Sequence, residues 1–190
     1  MIPGIDWVEA FGFATGAICV WLTVRQNVWN WPAGIANNVF FVALFWRTRL
    51  YADMALQFVY IALAAAGWYW WLRGGENRGE LRVSRIGRTT ALICLAVTLA
   101  ATAGMDAYLR RVNDSAPLAD AFTTAGSLAA QYLLTRKILE SWYVWIAVDV
   151  VYVVLYVVKG LHLTAVLYAL FIVMCAKGLT EWRKSAAKAS

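Results

Sequence analysis

The stretch Glu140 to Lys159, ESWYVWIAVDVVYVVLYVVK, is an apolar run interrupted by a single carboxylate, Asp149. A run of about twenty such residues is long enough to cross the hydrocarbon core of a bilayer as a helix, so it predicts a transmembrane segment. At about 3.6 residues per turn, one face of that helix is aromatic and acidic. That face carries Trp142, Trp145, Asp149, Tyr152 and Tyr156.

The acid at position 149 needs a reason to lie at this depth. An ionised side chain there costs roughly 2.5 to 3.5 kcal/mol on insertion scales, so such residues usually face a bundle interior or an aqueous pathway. We favour a role in a ligand pathway. The alternative is a structural acid paired with Lys or Arg on another helix. No basic residue occurs at comparable depth in the predicted spans, which argues against such a pair.

The composition of the whole chain fits the same class of protein. Of its 190 residues 62% are hydrophobic and eleven are Trp, which is too apolar for a soluble domain and typical of a polytopic helical membrane protein. The net charge of +6 comes from short Lys and Arg clusters between apolar runs. Clusters of this kind orient membrane helices, so they do not indicate nucleic-acid binding.

Polar breaks between the apolar runs predict seven transmembrane spans, at about residues 7–24, 31–47, 51–72, 89–108, 118–135, 142–159 and 162–181. The longest connection, Arg73 to Arg88, is Gly-rich and basic, and we expect it to be a solvated linker. About five Lys and Arg residues lie on the side of the N-terminus and about twelve on the other. This imbalance places the N-terminus outside and the C-terminus in the cytoplasm.

An internal repeat organises these spans. Residues 10–73 align without gaps on residues 121–184 at an offset of about 111, with about sixteen identities, which indicates duplication of a three-helix unit. Matches include Arg25 with Arg136, Trp31 with Trp142, and Gly67 with Gly178. The chain then divides into a first repeat (1–73), a loop with a linker helix (74–116), and a second repeat with a short tail (117–190). With one helix between them, the two repeats run through the membrane in the same direction.

Transporters built from such parallel repeats bind substrate near the bilayer midplane between the halves. The repeat therefore shows which polar and aromatic residues occupy equivalent positions in the two halves. Asp149 corresponds to Asn38, Trp145 to Gly34, and Tyr168 to Gln57. Amides at membrane depth are costly without partners, so Asn38 and Gln57 either bind ligand or form interhelical hydrogen bonds. The remaining candidates are aromatic residues that could face inward: Trp31, Trp68 and Trp182.

Known catalytic devices are absent from the sequence. There is no phosphate-binding G-x-x-x-x-G-K loop, no H-E-x-x-H pair, no G-x-S-x-G elbow and no Cys/His cluster, so we expect no catalytic residue, metal or cofactor. A carboxylate beside Trp and Tyr rings suits a cationic or aromatic solute. Asn and Gln can recognise hydroxyl or carboxamide groups.

At this point the sequence resembles a known family. ESWYVWIAVDVVYVVLYVVKGLHLTAVLYALF, WPAGIANNVFF, YADMALQFVY and GWYWW are similar to the signatures of the PnuC family of vitamin-precursor transporters. The resemblance covers nearly the whole chain. It implies a relative of the SWEET sugar transporters in the bacterial cytoplasmic (inner) membrane, with a three, one, three arrangement of helices. It also implies homo-oligomers, with a trimer as one expectation.

The activity that the resemblance implies is facilitated diffusion of nicotinamide riboside, which a cytoplasmic kinase then phosphorylates and traps. The substrate contacts that it implies are Trp142, Trp145, Asp149, Tyr168 and Trp182 in the second repeat, and Asn38 and Gln57 in the first. The proline pattern of the SWEET group is not matched, because Pro32 has Tyr143 as its counterpart, so the hinge positions stay open.

Three alternatives also stay open. Relatives in the family carry thiamine or other nucleosides, and thiamine, like nicotinamide riboside, contains a ring cation that Asp149 could bind. The chain could instead be a substrate-capture subunit that needs an energising partner. A membrane enzyme using Asp149 as acid or base is a third possibility, but no second catalytic group lies in register with it.

Overall fold

The computed structural model describes the backbone of residues 7–49 and 51–189; the side chains of residues 7–10, 13, 48, 51–53, 163, 188 and 189 also lie outside what it describes. Within these ranges the chain forms seven α-helices and no extended strand. The helices are α1 Trp7–Val24, α2 Asn30–Thr48, α3 Tyr51–Arg73, α4 Arg88–Arg111, α5 Pro117–Thr135, α6 Ser141–Val158 and α7 His162–Ala189.

These helices confirm the prediction of an all-α chain with seven helices. Their bounds agree with the predicted spans to within about three residues, which is close to the usual uncertainty of helix ends. The exception is α7, which continues beyond residue 181 to Ala189. Its last turns are rich in Ala and Lys, good helix formers that need no apolar surroundings.

Among the described residues, four segments are long and apolar enough to cross a membrane by length and composition alone: Met54–Arg73, Arg88–Arg111, Ser141–Val158 and Thr164–Ala187. Helices α2 and α5 are less apolar because they carry more polar side chains, among them Asn37 and Asn38 in α2 and Thr123 and Ser127 in α5. Polar residues of this kind are tolerated in a membrane where they face other helices.

The chain forms two compact units, Met1–Leu81 and Arg82–Ser190. In the first unit, α1 packs against α2 and α2 against α3. In the second, α4 packs against α5, α5 against α6, and α6 against α7. The linker helix α4 therefore makes its contacts with the second unit. The repeat boundaries at residues 73 and 116 stay a prediction, because contact grouping and duplication are different properties.

Most residues of the connection before α4 are exposed, as expected for a solvated linker, but its second half also makes specific backbone contacts. Ser84 forms an isolated parallel bridge with the turn between α5 and α6. Its N–H donates to the carbonyl of Lys137 at 3.2 Å, and its carbonyl accepts from the N–H of Leu139 at 2.9 Å. The N–H of Ile86 donates to Glu140 Oε2 at 2.9 Å. A local reading of Gly and Arg content could not identify these backbone partners.

The turn after the first helix of each repeat has the same backbone geometry. Gln26 and Lys137, which are 111 residues apart, both adopt the left-handed conformation, with φ of 53° and 54°. The N–H of Gln26 donates to the carbonyl of Thr23, and the N–H of Lys137 to that of Leu134, each at 2.9 Å. Non-glycine residues rarely adopt positive φ, so this coincidence supports the duplication read from the sequence.

Each unit also contains one perpendicular pair of tryptophan rings. The ring centroids of Trp31 and Trp71 are 5.2 Å apart at an interplanar angle of 89°. Those of Trp142 and Trp182 are 5.3 Å apart at 88°. Edge-to-face contact is favourable because the positive ring edge meets the negative ring face. All four indoles occupy matching repeat positions, so the two units share this packing as well as their turns.

The tryptophans approach their neighbouring helix closely because glycine occupies the contact. A Cβ atom added to Gly178 would lie 2.6 Å from Cη2 of Trp142, which is closer than real Cβ contacts. Gly67 has the same relationship to Trp31. The matched glycines of the repeat therefore have a steric reason: any side chain would push α6 from α7 in the second unit and α2 from α3 in the first.

Candidate functional site

Asp149 lies near the middle of α6 and is buried, with 5% of its surface exposed. Its neighbour Val148 is fully buried against α5, where a Cβ on Gly126 would lie 2.7 Å from Val148 Cγ2. Gly126 thus allows α5 and α6 to approach closely at the level of the acid. The carboxylate consequently lies inside the packed helices of the second unit.

The contact that the structure shows for the acid comes from α7. The thiol of Cys175 donates to Asp149 Oδ2, with Sγ and Oδ2 3.7 Å apart. Asp149 forms no ion pair with any residue that the structure describes. The alternative of a structural acid held by a guanidinium or ammonium group therefore has no support in the described part of the chain. A thiol is a weak donor, so the carboxylate keeps most of its capacity to bind a cation.

A cluster of three tyrosines begins one helical turn from Asp149. Tyr168 of α7 contacts both tyrosines of α6, with its centroid 4.6 Å from that of Tyr152 and 5.3 Å from that of Tyr156. Phe171 contacts Tyr168 edge-on at 5.8 Å. We call Tyr152, Tyr156 and Tyr168 the tyrosine cluster. Together with Asp149 it presents a negative charge beside electron-rich rings, a combination that attracts cations.

Three predicted site residues are held in helix packing. Trp142 and Trp31 are each 2% exposed and Trp182 is fully buried, all within the perpendicular pairs. The indole N–H groups of Trp31 and Trp142 have no acceptor within the described structure. These three indoles therefore brace the pairs of helices.

The other predicted residues are more accessible. Trp145 is half-buried on α6, one turn before Asp149. Asn38 on α2 and Gln57 on α3 are half-buried, and Trp68 on α3 is 39% exposed. The neighbouring Asn37 accepts a hydrogen bond from Thr15 Oγ1 at 2.8 Å, so it links α1 to α2. Asn38 has no such interhelical bond in the described structure, which leaves its amide available.

Sequence reasoning missed one residue next to the acid and underused two others. The sequence alone does not mark Cys175, because a cysteine that lies singly in an apolar run forms no metal or disulfide pattern. Its alignment with Ala64 of the first repeat could have marked it as a difference between the two units. Tyr152 and Tyr156 lie on the predicted acidic face of α6, but periodicity alone does not identify them as site residues. Among the described residues no group of His, Cys, Asp and Glu is arranged to hold a metal.

Comparison with known proteins agrees with this architecture. The family model described as nicotinamide mononucleotide transporter matches residues 6–184. The chain is 27% identical to the nicotinamide riboside transporter PnuC of Escherichia coli (strain K12), covering 96% of this chain and 87% of the relative. It is 28% identical to the riboflavin/roseoflavin transporter RibM of Streptomyces davaonensis, covering 94% and 85%.

A solved structure shows the same fold. The crystal structure of the vitamin B3 transporter PnuC superposes with a TM-score of 0.73 at 22% identity, covering 97% of this chain and 83% of that one. With its apolar helices, the chain is thus a multi-pass membrane protein and a transporter, not an enzyme. The match over residues 6–184 places the chain in the nicotinamide mononucleotide transporter family.

Proposed function

We propose that this protein takes up nicotinamide riboside across the bacterial cytoplasmic membrane by facilitated diffusion, for the synthesis of NAD. The substrate moves down its gradient through alternating access, and phosphorylation by a cytoplasmic kinase traps it inside. Two observations on relatives support nicotinamide riboside as the substrate. The similar protein of E. coli is named a nicotinamide riboside transporter, and the similar crystal structure is that of a vitamin B3 transporter.

The observation that carries the proposal is the environment of the Asp149 side chain. It is a buried carboxylate without an ion pair in the described structure, and a tyrosine cluster lies one turn away. The nicotinamide ring of the substrate is a planar cation. The acid attracts such a ring by its charge. Each well-placed aromatic face adds about 0.5 to 2 kcal/mol of cation–π energy.

We propose Asp149, Trp145 and Tyr168 as the residues that contact the ring. Asn38 and Gln57 are proposed to recognise the ribose hydroxyls and the carboxamide, because amides can donate and accept at once. Trp68 is retained as an aromatic contact. Trp31, Trp142 and Trp182 are proposed to act on the substrate through the helix pairs that they hold together, since their rings are buried.

The membrane arrangement is part of the proposal. It consists of two three-helix repeats with α4 between them, as in SWEET-like transporters, and the matched turns at Gln26 and Lys137 support the duplication. The excess of Lys and Arg at the ends of α1, α3, α5 and α7 favours a cytoplasmic C-terminus and an external N-terminus. We also propose a homo-oligomer, with a trimer as one form to test.

The test is transport by the purified chain. Proteoliposomes containing it should equilibrate radiolabelled nicotinamide riboside without ATP or an ion gradient, and recovered solute should be chemically unaltered. Transport by the purified chain would remove the capture-subunit alternative, and unaltered solute would remove an enzyme acting on it. Empty liposomes and the Asp149→Ala variant serve as controls.

A second substrate has specific support. The riboflavin/roseoflavin transporter RibM is as similar to this chain as the nicotinamide riboside transporter of E. coli is. Riboflavin is neutral, so its binding would not need Asp149, whereas thiamine is a cation that would. Competition of unlabelled nicotinamide riboside, thiamine and riboflavin in the same proteoliposomes ranks the three. If only riboflavin competes, the proposed substrate is wrong.

A further inference from the structure

A cavity lies at the end of the second unit where α6 begins and α7 ends. The cavity has a volume of about 390 Å³ and is lined by Val83, Ser84, Arg85, Leu139, Arg183, Ala186 and Ala187. Cavities that bind small molecules usually measure about 300 to 1,000 Å³, so this one is large enough for a ligand. It does not include Asp149 or the tyrosine cluster, and the transport proposal does not use it.

The walls of this cavity are fixed by the contacts of the loop before α4. The backbone bridge from Ser84 to Lys137 and Leu139 holds the loop against the start of α6. Val83 is 8% exposed and Leu139 is 1% exposed, so the floor is apolar. The opposite wall consists of two alanines near the end of α7. The backbone groups of Ser84 are used in the bridge, which leaves its hydroxyl as the polar group it can offer to the cavity.

The charged groups of the cavity are both arginines. Arg85 forms no ion pair or hydrogen bond with the residues that the structure describes. Arg183 is held over the ring of Tyr143, with its Cζ 5.7 Å from the centroid, and donates to the Tyr143 hydroxyl.

The nearby acids are engaged elsewhere and do not line the cavity. Glu140 accepts the N–H of Ile86, and Glu181 pairs with Lys184 at 3.0 Å. Two arginines and no carboxylate therefore line the cavity. An unpaired positive charge of this kind is the feature that a bound anion would neutralise.

We propose that this cavity binds a phosphate group, carried either by a soluble phosphomonoester or by the headgroup of an anionic lipid. The planar guanidinium fork matches phosphate oxygens in pairs, which is why arginine rather than lysine suits such sites. The Ser84 hydroxyl adds one neutral donor, and the Val83 and Leu139 floor accommodates the carbon skeleton next to the phosphate. In the proposed membrane orientation this end of the protein faces the cytoplasm.

The experiment measures binding, so it is independent of transport. The full chain is reconstituted in nanodiscs of zwitterionic phosphatidylcholine and titrated with glycerol 3-phosphate, with the unfolding temperature as the readout. In a second arm, the chain is reconstituted in nanodiscs that contain phosphatidylglycerol, and its unfolding temperature is compared with that in phosphatidylcholine alone. A rise in unfolding temperature with glycerol 3-phosphate identifies a soluble phosphomonoester, and a rise only with phosphatidylglycerol identifies a lipid headgroup.

Variants of the loop decide whether the cavity is responsible. Arg85→Gln should raise about tenfold the ligand concentration that is needed for the same rise in unfolding temperature. Arg85→Lys should restore only part of the wild-type binding, because lysine lacks the paired donors. Arg82→Gln is the matched control: it lies in the same loop, removes the same charge and does not line the cavity. The proposal fails if neither ligand stabilises the wild type, or if Arg85→Gln and Arg82→Gln weaken binding equally.

Discussion

The thiol of Cys175 lies 3.7 Å from the carboxylate of Asp149, across the contact between α7 and α6. Both residues are almost fully buried, at 3% and 5% exposure. In the first repeat the same two positions hold Ala64 and Asn38, so neither the thiol nor the charge is duplicated. The two units therefore share their packing and differ in the chemistry of this pair, which suits an asymmetric, cationic ligand.

Removing the charge of Asp149 should weaken substrate binding. We expect Asp149→Ala and the near-isosteric Asp149→Asn to raise the Kd for nicotinamide riboside at least about tenfold, or about 1.4 kcal/mol. Isothermal titration calorimetry in nanodiscs measures it. Asp106→Asn is the control, because that acid pairs with Arg110 at 2.8 Å on α4. Wild-type affinity in a folded Asp149→Asn variant would show that the acid is structural.

The space beside the acid should be sensitive to volume. Cys175→Leu adds bulk against the Asp149 carboxylate, and overpacking of a dense interior costs about 1 to 3 kcal/mol, so we expect transport to fall about tenfold or more. Cys175→Ala copies the first repeat at Ala64 and should keep transport within about threefold, since a thiol hydrogen bond is weak. Initial uptake rates in proteoliposomes distinguish them. Equal rates for both variants would place the substrate elsewhere.

The tyrosine cluster should act through its rings. Tyr168→Phe keeps the stack with Tyr152 and Tyr156, so we expect an affinity within about threefold of the wild type. Tyr168→Ala removes one ring of the cluster and should weaken binding about tenfold, the upper range of one aromatic contact with a cation. Neutral riboflavin provides the comparison. A loss of nicotinamide riboside binding in Tyr168→Phe equal to that in Tyr168→Ala would assign the role to the hydroxyl instead.

The glycine beneath Trp142 should be required for stability. Gly178→Ala places a Cβ 2.6 Å from that ring, and we expect the free energy of unfolding to fall by about 1 to 3 kcal/mol. Gly104→Ala on α4 is the matched control, because nothing lies within 4 Å of its added Cβ. Alanine is the better helix former, so this control should be neutral or stabilising by up to about 1 kcal/mol. Thermal unfolding followed by tryptophan fluorescence compares the two.

The second matched turn of the repeats makes opposite predictions for its two copies. Gly160 has φ of 73° and its counterpart Arg49 has φ of 61°. Left-handed backbone costs a non-glycine residue about 1 kcal/mol or more, so Gly160→Ala should lower stability and Arg49→Gly should raise it by a similar amount. Denaturation midpoints of the two variants test this. A stabilising effect of Gly160→Ala would contradict the turn geometry.

Much of the fold could be predicted from local sequence. The lengths of the apolar runs set the seven helices, because a helix that crosses a bilayer must satisfy its own backbone and cover it with apolar side chains. The register of the repeat identified Trp31, Trp142, Gly67 and Gly178 as matched positions before any contact was known. Their steric relationship appeared only when the facing helix was in place.

The candidate site, like the fold, could be predicted only in part from the sequence. The sequence by itself determined that Asp149 is an acid at membrane depth on an aromatic helix face, since helical periodicity assigns residues to faces. Only the tertiary structure decided what covers that face: Cys175 and Tyr168 come from α7, and the tryptophans predicted as contacts are occupied in packing. Periodicity describes one helix at a time, whereas the neighbour of each side chain depends on how α6 meets α7, a contact between segments distant along the chain.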